Sequence, residues 1–200
     1  MKTDKFQKNK IDGGGHGGRL FVVSAPSGAG KTTLCDAARR HLPDLLYSVS
    51  STTRAPRVGE QEGRDYFFVT EAQFRKGIDT GQWAEWARVH GNYYGTAARF
   101  IEDHLDAGRD VILDIDVQGA TQIVRRYPDA VTIFVMAPSM EILRQRITAR
   151  GLDSGAVIDK RMKNAEAEIA CRGMYRHVVV NDDLEAAIAQ FVSILKGGAA

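Results

Sequence analysis

The chain has 200 residues, of which 44% are hydrophobic and 26% charged, a length that predicts one domain, or one domain with small lobes, around a single core. Its 27 basic and 25 acidic residues give a net charge of +2, which excludes the global positive field of a nucleic-acid or membrane-surface binder. No apolar run approaches the ~20 residues that span a bilayer, and we expect a cytoplasmic protein that binds neither nucleic acid nor membrane.

The N-terminal segment MKTDKFQKNKIDGGGHGG, residues 1–18, is charged, polar and finally glycine-rich. Such a composition buries too little apolar surface to offset the entropy lost on ordering. We therefore expect a flexible tail, with the folded domain beginning at residue 19.

Apolar runs alternate with amphipathic stretches after the tail. The runs LFVVSA (20–25), DVILDID (110–116), AVTIFVMA (130–137) and HVVVND (177–182) are apolar and β-branched, as in strands covered on both faces. Between them, TTLCDAARRHL predicts a helix that ends before Pro43, and SMEILRQRITARG a helix capped by Ser139. This alternation predicts an α/β fold with a parallel sheet.

The segment from about residue 50 to residue 99 interrupts the alternation. It is rich in aromatic residues, glycine and arginine, and we predict a small lobe inserted into the sheet domain. We expect four aromatic side chains to form the core of this lobe: Phe67, Phe68, Trp83 and Trp86.

The first predicted strand leads into SAPSGAGKTT, which has the pattern of a phosphate-binding loop. A strand, a glycine-rich turn, a lysine and a hydroxyl residue that opens a helix point backbone N–H groups at an anion. Gly28 and Gly30 permit positive φ angles, while Lys31 reaches the β and γ phosphates and Thr32 binds Mg²⁺. Ala25 occupies the first position, where the general pattern has glycine. The loop predicts a nucleoside triphosphate site but does not specify the reaction.

The inserted segment carries a second candidate phosphate site. In YSVSSTTRAPRVGEQEGRDYFF, Arg54 and Arg57 lie three residues apart, with Tyr66 nearby. Two guanidinium groups and a phenol suit a phosphate monoester, although arginines on a surface are often simply solvated.

Several carboxylates and hydroxyls follow this arginine pair. WAEWARVHGNYYGT and VILDIDVQGA bring Glu85, Tyr94, Thr96, Asp114 and Asp116 within reach of one cleft. Carboxylates beside a phosphate site need a reason, because like charges repel. Guanine provides one, since its N1–H and N2–H₂ groups donate hydrogen bonds that a carboxylate accepts.

Taken together, these segments resemble the guanylate kinase family. SAPSGAGKTT, SVSSTTRAPRVGE, DYFFV, GNYYGT, LDIDVQGA, RGLDS, KRM and VNDD occur in the family's order and spacing. Bacterial members commonly begin the loop with alanine, as at Ala25. The resemblance implies an α/β, P-loop nucleoside monophosphate kinase fold with three parts: a parallel-sheet core (19–50 and 101–200), an inserted GMP-binding lobe (51–100) and a small helical lid near 145–160.

The resemblance also implies the site residues. The ATP site would consist of Ala25, Pro26, Ser27, Gly28, Ala29, Gly30, Lys31, Thr32 and Thr33. Guanine would be recognised by Ser50, Glu85, Thr96 and Asp116, and the GMP phosphate held by Arg54, Arg57, Tyr66 and Tyr94. The catalytic residues would be Lys31, Arg54, Arg146, Arg150 and Arg161. Asp114 would border the GMP site and hold Mg²⁺ through water, with Thr32 as a direct ligand.

The implied reaction transfers the γ-phosphoryl group of MgATP to GMP, and to dGMP, in purine nucleotide metabolism. The GMP phosphate has a second pKa of about 6, so it is already anionic and needs no general base. Lysine, Mg²⁺ and arginines would offset the repulsion between two polyanions. Arg146 and Arg150 would close over ATP, whereas we expect Arg144 on a solvated helix face; monomer and homo-oligomer both remain open.

Two alternatives remain at this stage. A catalytically silent interaction module with the same fold would have no use for the phosphate cradle around Lys31. The second alternative is a P-loop kinase that acts on another nucleoside monophosphate or on a phosphorylated sugar. Glu85 and Asp116 beside the arginine pair favour GMP over these acceptors.

Overall fold

The computed structural model describes residues 17–89, 91–149 and 154–198. The strands are β1 (Leu20–Ser24), β2 (Leu46–Tyr47), β3 (Ser51–Thr52), β4 (Phe67–Phe68), β5 (Trp83–Val89), β6 (Asn92–Ala97), β7 (Val111–Asp114), β8 (Val131–Met136) and β9 (His177–Val180). The helices are α1 (Lys31–His41), α2 (Glu71–Asp79), α3 (Ala98–Asp106), α4 (Val117–Arg126), α5 (Met140–Ala149), α6 (Gly155–Ala170) and α7 (Leu184–Leu195).

The larger sheet has the order β2-β7-β1-β8-β9, and every pair in it is parallel. Its central strand β1 is buried along its whole length. Phe21 and Val23 pack into one apolar cluster, and Leu20 and Val22 into a second, because successive side chains point to opposite faces. The predicted α/β fold with a parallel-sheet core is confirmed.

The carboxyl ends of these parallel strands position the polar residues of the site. Val23 of β1 pairs with Asp114 of β7, so this carboxylate stands beside the start of the glycine-rich loop. α1 begins directly after the loop, at Lys31. Farther along the chain, the Ser139 hydroxyl accepts a hydrogen bond from the backbone N–H of Ile142 over 3.2 Å and caps α5, as predicted.

A second sheet, with the order β4-β3-β6-β5, lies within the inserted segment. Its core is a stack of three rings, in which Phe74 lies 4.3 Å from Trp83 and 5.2 Å from Tyr93, centroid to centroid. The prediction for the lobe core was right for Trp83 but wrong for Phe67 and Trp86, which are 44% and 36% exposed. Phe68, the fourth residue of that prediction, is partly buried.

The N-terminal segment and the lengths of the helices are the remaining features of the fold. The predicted tail lies outside the described residues except for its last two glycines, of which Gly18 donates its N–H to the Leu105 carbonyl over 2.9 Å. Among the helices of the described ranges, none has both the length and the apolar character needed to cross a membrane.

Candidate active site

A cleft of about 430 Å³ opens between the carboxyl ends of β1 and β7, the second sheet and helix α6. Nine predicted site residues line it: Ser27, Lys31, Ser50, Tyr66, Glu85, Tyr94, Asp114, Asp116 and Arg161. The structure therefore brings residues of the loop, the predicted lobe and the larger sheet to one cavity.

The glycine-rich loop has the backbone that its sequence predicts. Gly28 and Gly30 have φ angles of 92° and 99°, in the left-handed region that favours glycine. A Cβ atom at Gly30 would collide with the side-chain amide of Asn181. That amide donates a hydrogen bond to the Ala29 carbonyl over 2.9 Å. Asn181, which sequence reasoning did not single out, therefore supports the loop from behind.

Lys31 lies at the start of α1 and faces the end of β7. Its ammonium group forms an ion pair with Asp114 and donates to the Ile115 carbonyl over 3.4 Å. The Tyr47 hydroxyl donates to the second oxygen of Asp114 over 2.9 Å. Burial, followed by the Asp114 charge, raises the pKa of Tyr47, so this hydroxyl remains a donor. Tyr47 is a second residue that the sequence analysis missed.

Glu85 lies at the lobe end of the cleft and is only 5% exposed. The Thr96 hydroxyl donates to one of its oxygens over 2.6 Å. Asp116 caps helix α4 by accepting from the Gly119 N–H over 2.8 Å. A Cβ at Gly119 would lie 2.6 Å from the other oxygen of Glu85, so glycine is what lets α4 approach this carboxylate.

The environment of Glu85 makes its charged form costly. Burial raises its pKa to about 7, and the nearby Asp116 carboxylate acts in the same direction, while the hydrogen bond from Thr96 lowers it. A ligand that offers two adjacent N–H groups stabilises the ionised form. The arrangement therefore suits the N1–H and N2–H₂ edge of guanine.

Two of the predicted phosphate residues, Arg54 and Arg57, are bonded to Glu60. Arg54 donates to both carboxylate oxygens of Glu60, over 2.7 and 2.9 Å, and its guanidinium lies 5.4 Å from the centre of the Tyr66 ring. The backbone N–H of Arg57 donates to Glu60 over 2.8 Å, while the Arg57 side chain is exposed. In the described structure neither arginine lines the cleft, whereas Tyr66 and Tyr94 do. Glu60 therefore holds the segment that contains Arg54 and Arg57. This residue is also not predicted from the sequence.

Helix α6 contributes a polar face to the cleft. Arg161, Asn164, Ala165 and Glu168 all line it, at the spacing of one helical face. Burial raises the pKa of Glu168, Lys31 lowers it and Asp116 raises it again. Of these residues, only Arg161 is predicted from the sequence, although Glu168 lies two helical turns farther along the same side.

The predicted lid arginines differ in their surroundings. Arg146 is partly buried and donates to the Asn181 carbonyl over 2.9 Å. Arg144 is 53% exposed, as expected, and pairs with Asp159 of α6 over 2.7 Å. Arg150 lies outside the described residues.

The donors around the loop fit Mg²⁺ that arrives with a nucleotide. The described ranges contain no group of three His, Cys, Asp or Glu residues that could hold a metal ion. Mg²⁺ is commonly bound by one or two carboxylates together with substrate phosphates. Asp114 offers such a carboxylate at the end of β7, and Thr32 offers an exposed hydroxyl in the first turn of α1. Among the described residues, four carboxyl groups and two cations line the cleft, so phosphate anions that enter it need additional positive charge.

Comparisons with known proteins agree with this geometry. The family model described as guanylate kinase matches residues 17–197. A guanylate kinase of Thermotoga maritima is 45% identical over 179 residues, covering 90% of this chain and 86% of the relative. One from Rubrobacter xylanophilus is 48% identical, covering 90% and 94%.

A solved structure supports the same relationship. The crystal structure of guanylate kinase from Anaplasma phagocytophilum superposes with a TM-score of 0.74 at 36% sequence identity, covering 91% of this chain and 86% of that one. With a family match over nearly the whole described chain, a shared fold and close relatives of similar length, this chain belongs to the guanylate kinase family.

Proposed function

We propose that this protein transfers the γ-phosphoryl group of ATP to GMP, and to dGMP, yielding ADP and GDP. The observation that carries the proposal is the buried carboxylate of Glu85, held by Thr96, in the same cleft as Lys31 of the glycine-rich loop. One end of the cleft suits a guanine base and the other a triphosphate. A single cavity thus accommodates both substrates of the reaction.

Guanine recognition is assigned to the lobe end of the cleft. Glu85 accepts hydrogen bonds from N1–H and N2–H₂ of the base, and Thr96 fixes the carboxylate for this purpose. Asp116 and Ser50 line the same cleft. Adenine presents an acceptor at N1, which a carboxylate repels, so the site selects GMP over AMP.

The GMP phosphate is assigned to Arg54, Arg57, Tyr66 and Tyr94. Tyr66 and Tyr94 pack edge to face with their ring centres 5.9 Å apart, and the Arg54 guanidinium lies over the Tyr66 ring. Arginine forks bind phosphate oxygens in pairs. Arg54 reaches the phosphate by exchanging part of its interaction with Glu60.

Phosphoryl transfer is assigned to the loop end. The backbone N–H groups of the loop from Ala25 to Thr33, except at Pro26, which has none, and the ammonium of Lys31 bind the ATP phosphates. Lys31 also stabilises the charge that develops during transfer. Thr32 would hold Mg²⁺ directly and Asp114 would hold it through water, and the bound ion would neutralise phosphate charge. Arg146, Arg150 and Arg161 add positive charge, and closure over ATP excludes water that would otherwise hydrolyse it.

No residue is required as a general base. The attacking oxygen belongs to a phosphate whose second pKa is about 6, and it is ionised at neutral pH. The protein contributes positioning and electrostatic stabilisation. We propose that the reaction takes place in the cytoplasm.

A coupled assay of ADP release across GMP, AMP, CMP and UMP tests this proposal. We expect turnover with GMP to exceed turnover with the other three acceptors by at least about 100-fold in kcat/KM. A preference for another monophosphate would replace guanine as the recognised base. No ADP release with any acceptor, from a protein that is folded, would identify a non-catalytic module.

A further inference from the structure

One side-chain amide connects the strand that carries Glu85 to helix α4. Within the described ranges β5 is the last strand of the second sheet, so one side of its backbone has no strand partner. Gln122 of α4 accepts from the Trp86 N–H over 3.2 Å and donates to the Trp86 carbonyl over 2.8 Å. A primary amide has both a donor and an acceptor, so Gln122 makes the pair of bonds that a neighbouring strand would make.

Two other residues of the same helix face contact β5. Gly119 allows the helix to approach the Glu85 carboxylate, as its missing Cβ shows. Arg126 donates to the Trp83 carbonyl over 3.3 Å. Gly119, Gln122 and Arg126 are spaced three and four residues apart and therefore share one face of the helix. This face follows β5 across the segment that contains Glu85.

The segment needs such support because its own pairing is irregular. Trp83 pairs with Ala97 and Glu85 with Thr96, so two residue steps on β5 match one step on β6. An extra residue of this kind bends a strand and redirects the next side chain. The hydrogen bonds to Trp86 follow directly after the irregularity, beside the residue whose direction has to be fixed.

Helix α4 also determines the position of the second carboxylate in the cleft. Asp116 is its N-cap residue, bonded to the Gly119 N–H. The two hydrogen bonds of Gln122 therefore connect the backbone next to Glu85 with the element that starts at Asp116. We propose that Gln122 is a positioning residue for guanine recognition, which holds Glu85 in place relative to Asp116. This inference rests on the proposed function.

The test replaces Gln122 with methionine, which has a similar length and cannot make either hydrogen bond. We expect KM for GMP to rise about tenfold, because only a fraction of molecules then has β5 in the binding geometry. KM for ATP stays within twofold of wild type, and kcat at saturating GMP within threefold. A purely structural role predicts a lower Tm without this separation of the two KM values.

Gln118→Met is the matched control. Gln118 is exposed, lies one turn earlier on α4 and undergoes the same chemical change. Both KM values should stay within twofold of wild type in this variant. If Gln122→Met does not fold, Gln122→Glu keeps the acceptor for the Trp86 N–H and loses the donor, and we expect at least a threefold rise in KM for GMP.

A double-mutant cycle with Glu85→Gln tests whether Gln122 acts through Glu85. When Glu85 no longer reads the base, Gln122→Met should change KM for GMP less than twofold, because coupled residues are not additive. An equal tenfold effect in both backgrounds would overturn the inference. So would an unchanged KM for GMP in the single variant, or a parallel rise in KM for ATP.

The wild-type assay separates this inference from the proposed function. Without turnover of GMP by the wild-type protein, the proposed function itself fails. Turnover of GMP together with a neutral Gln122→Met variant overturns only the role of Gln122.

Discussion

The Thr96 hydroxyl donates a hydrogen bond of 2.6 Å to the Glu85 carboxylate, and both side chains are buried. The two residues face each other across β5 and β6, so the sheet register keeps them together. Burial nevertheless dominates, and it raises the pKa of Glu85 to about 7, with the Asp116 charge acting in the same direction. The group assigned to read guanine therefore changes its charge near neutral pH.

The first prediction concerns the pH dependence of GMP binding. Below pH 7 the free protein carries protonated Glu85, and the proton must leave before both guanine donors can bind. KM for GMP should therefore rise about tenfold between pH 8 and pH 6, since the ionised fraction falls about tenfold per pH unit below the pKa. The measurement is KM for GMP at half-unit steps of pH.

Glu85→Gln is the control for that profile. GMP itself titrates near pH 6 and contributes its own pH dependence, which the variant retains. The ratio of wild-type to variant KM isolates Glu85. Parallel profiles would show that Glu85 does not titrate in this range.

The second prediction concerns stability. The pKa of Glu85 is raised in the folded state from an ordinary value of 4.5 to about 7, so the folded state binds more protons between these two pH values. Stability from protonated Glu85 is fully present below about pH 4.5 and is lost as the pH rises through 7. Glu85→Gln does not titrate and avoids this loss. The Tm of the variant minus the Tm of wild type should therefore be higher at pH 8 than at pH 5 by at least about 3 °C.

Thermal unfolding of both proteins at the two pH values measures this difference. Glu185→Gln, at an exposed position in the first turn of α7, is the control and should show no such shift. If the difference in Tm between wild type and Glu85→Gln were the same at both pH values, Glu85 would not titrate between pH 5 and pH 8.

The core of the fold could be predicted from the sequence because β1, β7, β8 and β9 are continuous apolar runs. The two-residue strands β2, β3 and β4 are too short to leave a periodic pattern. The exposed side of the lobe was also missed. Hydrophobicity alone does not tell which aromatic residues of an inserted lobe face its core, and so Phe67 and Trp86 were assigned wrongly.

The site could be predicted where a local motif carries it, as at Lys31. It could not be predicted where partners are far apart in the chain. Tyr47 and Asp114 are 67 positions apart in the sequence, and Asn181 and Ala29 are 152 apart. No local sequence pattern predicts either contact. The roles assigned to the site residues, and the division into lobe and lid, stay predictions.

The third prediction concerns the phosphate cradle. Lys31→Met removes the positive charge that stabilises the phosphoryl group during transfer. We expect kcat to fall by a factor of about 100 with the fold intact. Lys163→Met, on an exposed position of α6, is the matched control and should leave kcat within twofold. A Lys31→Met protein that keeps more than a third of wild-type kcat would remove this residue from the mechanism.

The fourth prediction contrasts two arginines of helix α5. Arg146 is bonded to Asn181, whose amide supports the phosphate-binding loop, and Arg146→Met should reduce kcat/KM for ATP about tenfold. Arg144 makes an exposed ion pair with Asp159, a contact that contributes about 0–1 kcal/mol. Steady-state kinetics of Arg144→Met should stay within twofold of wild type. Equal effects of the two substitutions would contradict the different roles assigned here.

The most direct test of guanine recognition compares GMP and AMP as acceptors for wild type and Glu85→Gln. The variant keeps the size of the side chain but replaces one acceptor oxygen with an NH₂ group, so a donor faces a donor and a charge-assisted bond is lost. We expect the substitution to cost about 2–4 kcal/mol of transition-state stabilisation, which lowers kcat/KM for GMP. KM for ATP should change little, and discrimination against AMP should shrink. GMP kinetics within threefold of wild type would show that Glu85 does not read the base.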